Sequence, residues 1–122
     1  MDSYYFTNYY NMVGTKKIKK YYGHKRFYEL IETMKTIHSN KNYNYAKDGD
    51  PLSNLRASEQ FDIPGWKGTL VRITDKYARI IQLASGKEDK VGESIKDTLL
   101  DLAIYSILDI ILYEEYEKKG KI

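Results

Sequence analysis

Glu93, Asp97 and Asp101 stand four residues apart and lead into a nearly unbroken apolar run that ends at Leu112. On a helix, each step of four turns the chain only about 40° past a full turn, so all three acids line one face. A run this apolar has to be buried. Asp101, flanked by Leu99, Leu100, Leu102 and Ala103, is therefore an acid placed inside a core helix. A buried carboxylate without a partner is costly, so a cation must meet it. That cation is either a metal ion or a basic side chain, and spacing alone leaves the two readings even.

The chain has 122 residues, which suits one domain with a single core. It has no cysteine, and a small secreted domain usually needs disulfides, so a reducing cytoplasm is expected. No apolar run is long enough to cross a bilayer, and the start does not read as a signal peptide. The net charge is +3, too small for a committed nucleic-acid binder.

Residues 1–23 read as an irregular N-terminal arm. Its tyrosines (Tyr4, Tyr5, Tyr9, Tyr10, Tyr21, Tyr22) are segregated from the cluster Lys16, Lys17, Lys19, Lys20. That segregation favours aromatics docked on the domain or on another subunit over a stacking surface for single strands. Residues 24–122 read as the helical domain. Phe27, Leu30, Ile31, Met34 and Ile37 predict a first helix over 24–39. Residues 40–51 form a loop by composition, and a short second helix follows Pro51. Leu70, Ile73, Tyr77, Ile80, Ile81 and Ala84 predict a third helix over 69–85. The last helix spans 94–118, with Ser94 as its N-cap, Asp97 reaching back to it, and a solvated charged tail from Glu114. No segment alternates long enough to be a strand. The expected fold is all-α, a bundle of about four helices.

Three groups could carry chemistry. Glu93, Asp97 and Asp101 could hold Mg²⁺, which takes carboxylates, water and substrate phosphate; otherwise they cap the helix and form ion pairs. Arg72, Lys76 and Arg79 share one side of the third helix and would grip phosphate, or else face solvent or pair with Asp97 and Asp101. The loop from Asn40 to Asp50 offers amides and rings to a base, or is an ordinary polar connection. Trp66, the only tryptophan, is a core anchor or a stacking platform. His24 and His38 have no metal-ligand spacing and read as surface or helix-end residues. Nucleophile-elbow and phosphate-loop motifs are absent.

Four blocks in order carry a family resemblance: Lys41 to Ala46, Asp50 to Arg56, Gly65 to Arg79, and Glu93 to Tyr105. Together they resemble the nucleotide-modification-associated domain family of bacteriophages and prophages, over about Phe27 to Tyr113. More loosely, the helices are similar to the all-α nucleoside triphosphate pyrophosphohydrolases of the MazG type. Those enzymes bind Mg²⁺ through acids on neighbouring core helices, and Glu93 and Asp97 would match the pair on the later helix. The earlier helix departs from that pattern, offering only Glu29 and Glu32, with Glu59 on the short helix.

The resemblance implies a phage nucleotide-binding protein in the host cytoplasm. Ile104, Ile107, Leu108, Ile110, Ile111 and Leu112, spread widely round the last helix, add the expectation of a homo-oligomer, and composition that of no membrane or nucleic-acid partner. The residues themselves nominate Asn42, Tyr43, Tyr45, Asn54, Arg56, Trp66, Arg72, Lys76 and Arg79 for nucleotide binding, while Glu93, Asp97 and Asp101 either hold Mg²⁺ or fix Arg72, Lys76 and Arg79. No catalytic residue is assigned. Three activities fit: a Mg²⁺-dependent pyrophosphohydrolase acting on the nucleotide pool, an anti-defence sponge for a host immune signalling nucleotide, and a helical interaction protein without a small ligand.

Overall fold

A computed structural model describes residues 5–10, 18–45, 49–87, 92 and 94–120. The chain divides into two units, residues 1–40 and 41–122.

The first unit opens with an antiparallel hairpin, β1 (Tyr5–Tyr10) and β2 (Ile18–Gly23), in the register Tyr5 to Gly23 and Tyr10 to Ile18. The sequence reading expected an irregular arm here. Aromatic and β-branched residues favour extended pairing even where their alternation is broken, which is why periodicity did not reveal it. Gly23, at φ +124°, turns the chain out of β2 in a conformation that L side chains rarely adopt. Helix α1 (Lys25–Tyr45) starts with His24 Nδ1 accepting from the Arg26 N–H at 3.0 Å, so His24 is a helix-end residue as read. The Tyr28 hydroxyl donates to the Tyr22 carbonyl at 2.6 Å and ties α1 to β2. Phe27, expected on the apolar stripe, is exposed. The helix also runs six residues beyond its expected end, through Asn40 to Tyr45.

In the second unit the segment after Pro51 is a 3-10 helix, Ser53–Phe61. Asp50 holds its start: one carboxylate oxygen accepts from the Leu52 N–H at 3.0 Å and the other from Arg56 Nε at 2.7 Å. Asp62, in the left-handed region at φ 62°, ends it. Helix α2 (Gly65–Ala84) follows Pro64 directly, and the Glu59 carboxylate accepts from the Gly65 N–H at 3.3 Å. Helix α3 (Ile95–Lys118) begins with the expected capping box. Ser94 Oγ accepts from the Asp97 N–H at 3.0 Å, and the Asp97 carboxylate accepts from the Ser94 N–H at 3.2 Å. Trp66, early in α2, meets Tyr113, late in α3, with ring centroids 5.0 Å apart, so the two helices run antiparallel.

The core of this unit is small. Among the described residues only Leu52, Leu55 and Leu112 are buried large apolar side chains, with Trp66, Tyr105 and Leu108 packed on them. The apolar run of α3 is not buried throughout as the sequence implied: Ile107, Ile110 and Ile111 are each at least 40% exposed.

The 3-10 helix and α2 touch closely at Gly68. A Cβ there would run into Ser58 Oγ and lie 2.7 Å from Ser58 Cβ. Ser58 has little room to yield, because its hydroxyl donates to the Ile63 carbonyl at 2.9 Å. Gly68→Ala is expected to lose about 1–2 kcal/mol, since overpacking outweighs the better helix propensity of alanine. Urea unfolding measures it, and an unchanged or raised midpoint would show that the contact is looser than described.

Candidate functional site

The polar residues of the second unit gather in two places. The first is a cavity of about 370 Å³ where the 3-10 helix, the start of α2 and the end of α3 converge. Arg56 organises it. Its Nε reaches Asp50 at 2.7 Å and its Nη1 reaches Glu115 at 2.8 Å, so one guanidinium joins the 3-10 helix to α3. Hydrogen bonding to Glu115 first and Asp50 second raises the Arg56 pKa further above its already high value. The hydrogen bond from Arg56, helped by the Leu52 N–H, holds the Asp50 carboxyl below its ordinary range.

Trp66 and Tyr116 wall the same cavity, with ring centroids 5.9 Å apart, and Lys67 Nζ lies 5.7 Å from the Trp66 ring centroid. Glu59, Asp62 and Lys119 complete its charged lining. Three acids against two bases make the cavity slightly acidic. That balance suits donor groups, such as base amines and sugar hydroxyls, better than bare phosphate. Of the predicted nucleotide-binding residues, Arg56 and Trp66 are here. Trp66 stands both as an anchor on the small core and as a cavity wall.

The second cluster centres on Asp101, whose side chain is 13% exposed. Lys41 Nζ reaches one carboxylate oxygen at 3.1 Å and Lys76 Nζ reaches the other at 3.2 Å. Two ammonium groups on one carboxylate leave a net positive charge, which favours an anion. Lys41 was not predicted: it stands at the end of α1 that composition assigned to a loop, and pairing with Asp101 is one reason the helix continues there. Arg72 donates to the Asn54 carbonyl at 3.4 Å, tying α2 to the 3-10 helix. Asn42 and Arg79 are half-buried, and Tyr43 is 91% exposed. The Tyr45 side chain and Glu93 lie outside the described residues.

Hard cations need several oxygen ligands at once. Among the described residues, no three Asp, Glu or His side chains come together in that way. As placed, Asp97 holds the α3 cap and the Asp101 carboxylate accepts from two lysines.

Among the described residues the most deeply buried acid is a different one. Asp109 on α3 is 8% exposed, and its Oδ1 has no hydrogen-bond partner. Burial pushes its pKa up to about 6. It sits in an open groove between α2 and α3 whose other walls include Trp66, Leu70, Ile73 and Ile110. Trp66 Nε1, at the same place, is also buried without a partner. Sequence reasoning singled out Asp101 and passed over Asp109, although Ile107, Leu108, Ile110 and Ile111 give it the same signal, an acid inside an apolar run. Glu115 and Tyr116 were assigned to a solvated tail. They fall three and four residues after buried Leu112 and share its face, which was the available clue.

No helix among the described residues is long and apolar enough to cross a membrane. No curated protein and no solved structure gives a match to the chain. A likeness to the MazG-type enzymes is not shown; a family match is. It runs from Trp66 to Leu112, over most of α2 and α3, and so takes in one wall of the cavity and the Lys76 and Asp101 pair: residues 66–112 match the family described as nucleotide modification associated domain 1.

Proposed function

We propose that this protein binds a nucleotide and holds it without hydrolysis, in the manner of a sponge for a phosphate-bearing signalling nucleotide. The observation that carries the reading is the cavity beside Arg56. It is of mononucleotide scale, walled by Trp66 and Tyr116, and its edge lies in the segment that matches a nucleotide-associated family. The base and sugar occupy the slightly acidic cavity, stacked on the aromatic wall. The phosphates turn to basic groups, for which Lys41, Lys76 and Arg72 are the available cluster. Tyr43, exposed at the end of α1, supplies a ring that closes on the ligand, with the amide of Asn42 beside it. Mg²⁺ in this scheme arrives with the phosphates. The commitment of Asp97 and Asp101 to a cap and to lysines favours binding over turnover. The apolar breadth of α3 supports self-association.

Trp66 provides the test, since it is the only tryptophan and lines the cavity. Titration with ribo- and deoxyribonucleotides and with cyclic signalling nucleotides should quench its emission saturably for at least one ligand. Chromatography should then return that ligand unchanged after incubation with Mg²⁺. Release of pyrophosphate would replace the sponge with a pyrophosphohydrolase. Absence of quenching and of a thermal shift by every nucleotide at about 1 mM, a very weak affinity threshold, would sink the nucleotide reading itself.

A further inference from the structure

The α2–α3 pair has an apolar face that no described residue of the second unit covers. On α2 it follows the helical stripe Leu70, Tyr77 and Ile81; on antiparallel α3 it follows Leu99 and Ile110, with Ser106 between them. The five large side chains are exposed by 42% (Leu70) to 59% (Tyr77). The groove that holds Asp109 runs along this face. None of these stripe positions is charged, so the face does not fit nucleic acid or an anionic lipid surface.

We propose that a second copy of this chain covers the face, packed through its own α2–α3 face as an isologous pair. The two helical hairpins together form a four-helix bundle. The area argues for it. A standard interface takes roughly 800 Å² from each partner, and a little over half of that, on the order of 450 Å², is non-polar. About half of five Leu, Ile and Tyr side chains supplies on the order of 450 Å² as well, against a patch of a few hundred Å² that a monomer seldom leaves open. The core argues the same way. Three buried leucines among the described residues of 41–122 are a thin core, and a second copy adds apolar contact. A face whose exposed stripe is apolar is also complementary to itself, with Asp109 lying beneath it, 8% exposed, in the groove.

Sedimentation of the full chain at about 20 µM, a concentration where a standard interface is well populated, should show a dimer. Leu70→Asp and Ile110→Asp should each weaken it at least about tenfold, because a buried charge then faces its own copy. Phe61→Asp, also exposed but on the 3-10 helix, should leave it intact. A labelling measurement avoids any doubt about folding. The chain has no cysteine, so Ser106→Cys introduces a single thiol on the face. Its reaction with a maleimide should be slow in concentrated protein and speed up on dilution, while Ala57→Cys on the 3-10 helix reacts equally at both. A wild-type monomer, a dimer that survives both aspartate variants, or Ser106→Cys reacting as fast as Ala57→Cys at every concentration would each overturn the proposal.

Discussion

Asp109→Asn is expected to make the protein more stable relative to wild type at neutral pH than at acid pH, by about 3 kcal/mol across that range. The Asp109 carboxyl has its pKa pushed from 3.8 up to about 6 by burial. In the unfolded chain it loses its proton near pH 4; in the fold it keeps that proton until about pH 6. Between those values the native state binds more protons than the unfolded state, so stability falls as pH rises. The contribution is fully present below the unfolded pKa and lost above the folded one. A shift of about two units corresponds to about 3 kcal/mol. Among the described residues no base lines the groove: its walls are apolar or neutral, and its other polar groups are Ser106, the Tyr113 phenol and the Trp66 indole N–H. Asparagine keeps the shape and does not ionise. Melting curves of both proteins at about pH 4 and pH 7.5, at one protein concentration, should therefore diverge by roughly 10 °C. A melting difference that does not change with pH would mean that Asp109 is better solvated, or better partnered, than its surroundings imply.

Arg56→Ala should be the most damaging single substitution at the cavity, costing about 2–3 kcal/mol. The guanidinium joins Asp50 and Glu115 from opposite elements while its side chain is only 26% exposed, so truncation strands two carboxylates in partial burial and opens the packing around the arginine stem. The figure is set below that for fully buried pairs because both acids retain some water. Arg56→Lys should recover less than half of the loss, since an ammonium is a point charge and cannot present the fork that reaches both partners. The cost should change little when salt is raised to about 0.5 M, unlike that of the exposed Arg26–Glu29 and Lys35–Glu32 pairs. Urea unfolding at two salt concentrations decides the matter. A loss under about 0.5 kcal/mol for the alanine variant would make Arg56 an ordinary surface residue. Trp66 fluorescence of Arg56→Lys then shows whether the cavity keeps its ligand when the fold is retained.

The sequence by itself determined those parts of the protein that depend on neighbours along the chain. Helical spacing of Leu70, Ile73, Tyr77 and Ile81 placed α2. Ser94 and Asp97, three residues apart, placed the start of α3 and its capping box. The leucines around Asp101 required a cation, which spacing left open between a metal ion and a basic side chain. Tertiary structure alone decided the rest. Asn40 to Tyr45 have a loop composition, yet α1 carries through them, because Lys41 gains Asp101 only if the helix continues. The segment after Pro51 became a 3-10 helix in close contact with Gly68, a geometry that local propensity does not encode. The cavity joins Arg56 to Glu115 across 59 positions of chain, and a composition-based reading of the tail gave Glu115 no role. Which apolar residues are buried was also undecided by the sequence: periodicity marks a face as apolar, while the partner that covers it is set by the packing of distant elements. That is why Leu112 is enclosed and Ile110, two residues earlier on the same helix, is left for another surface.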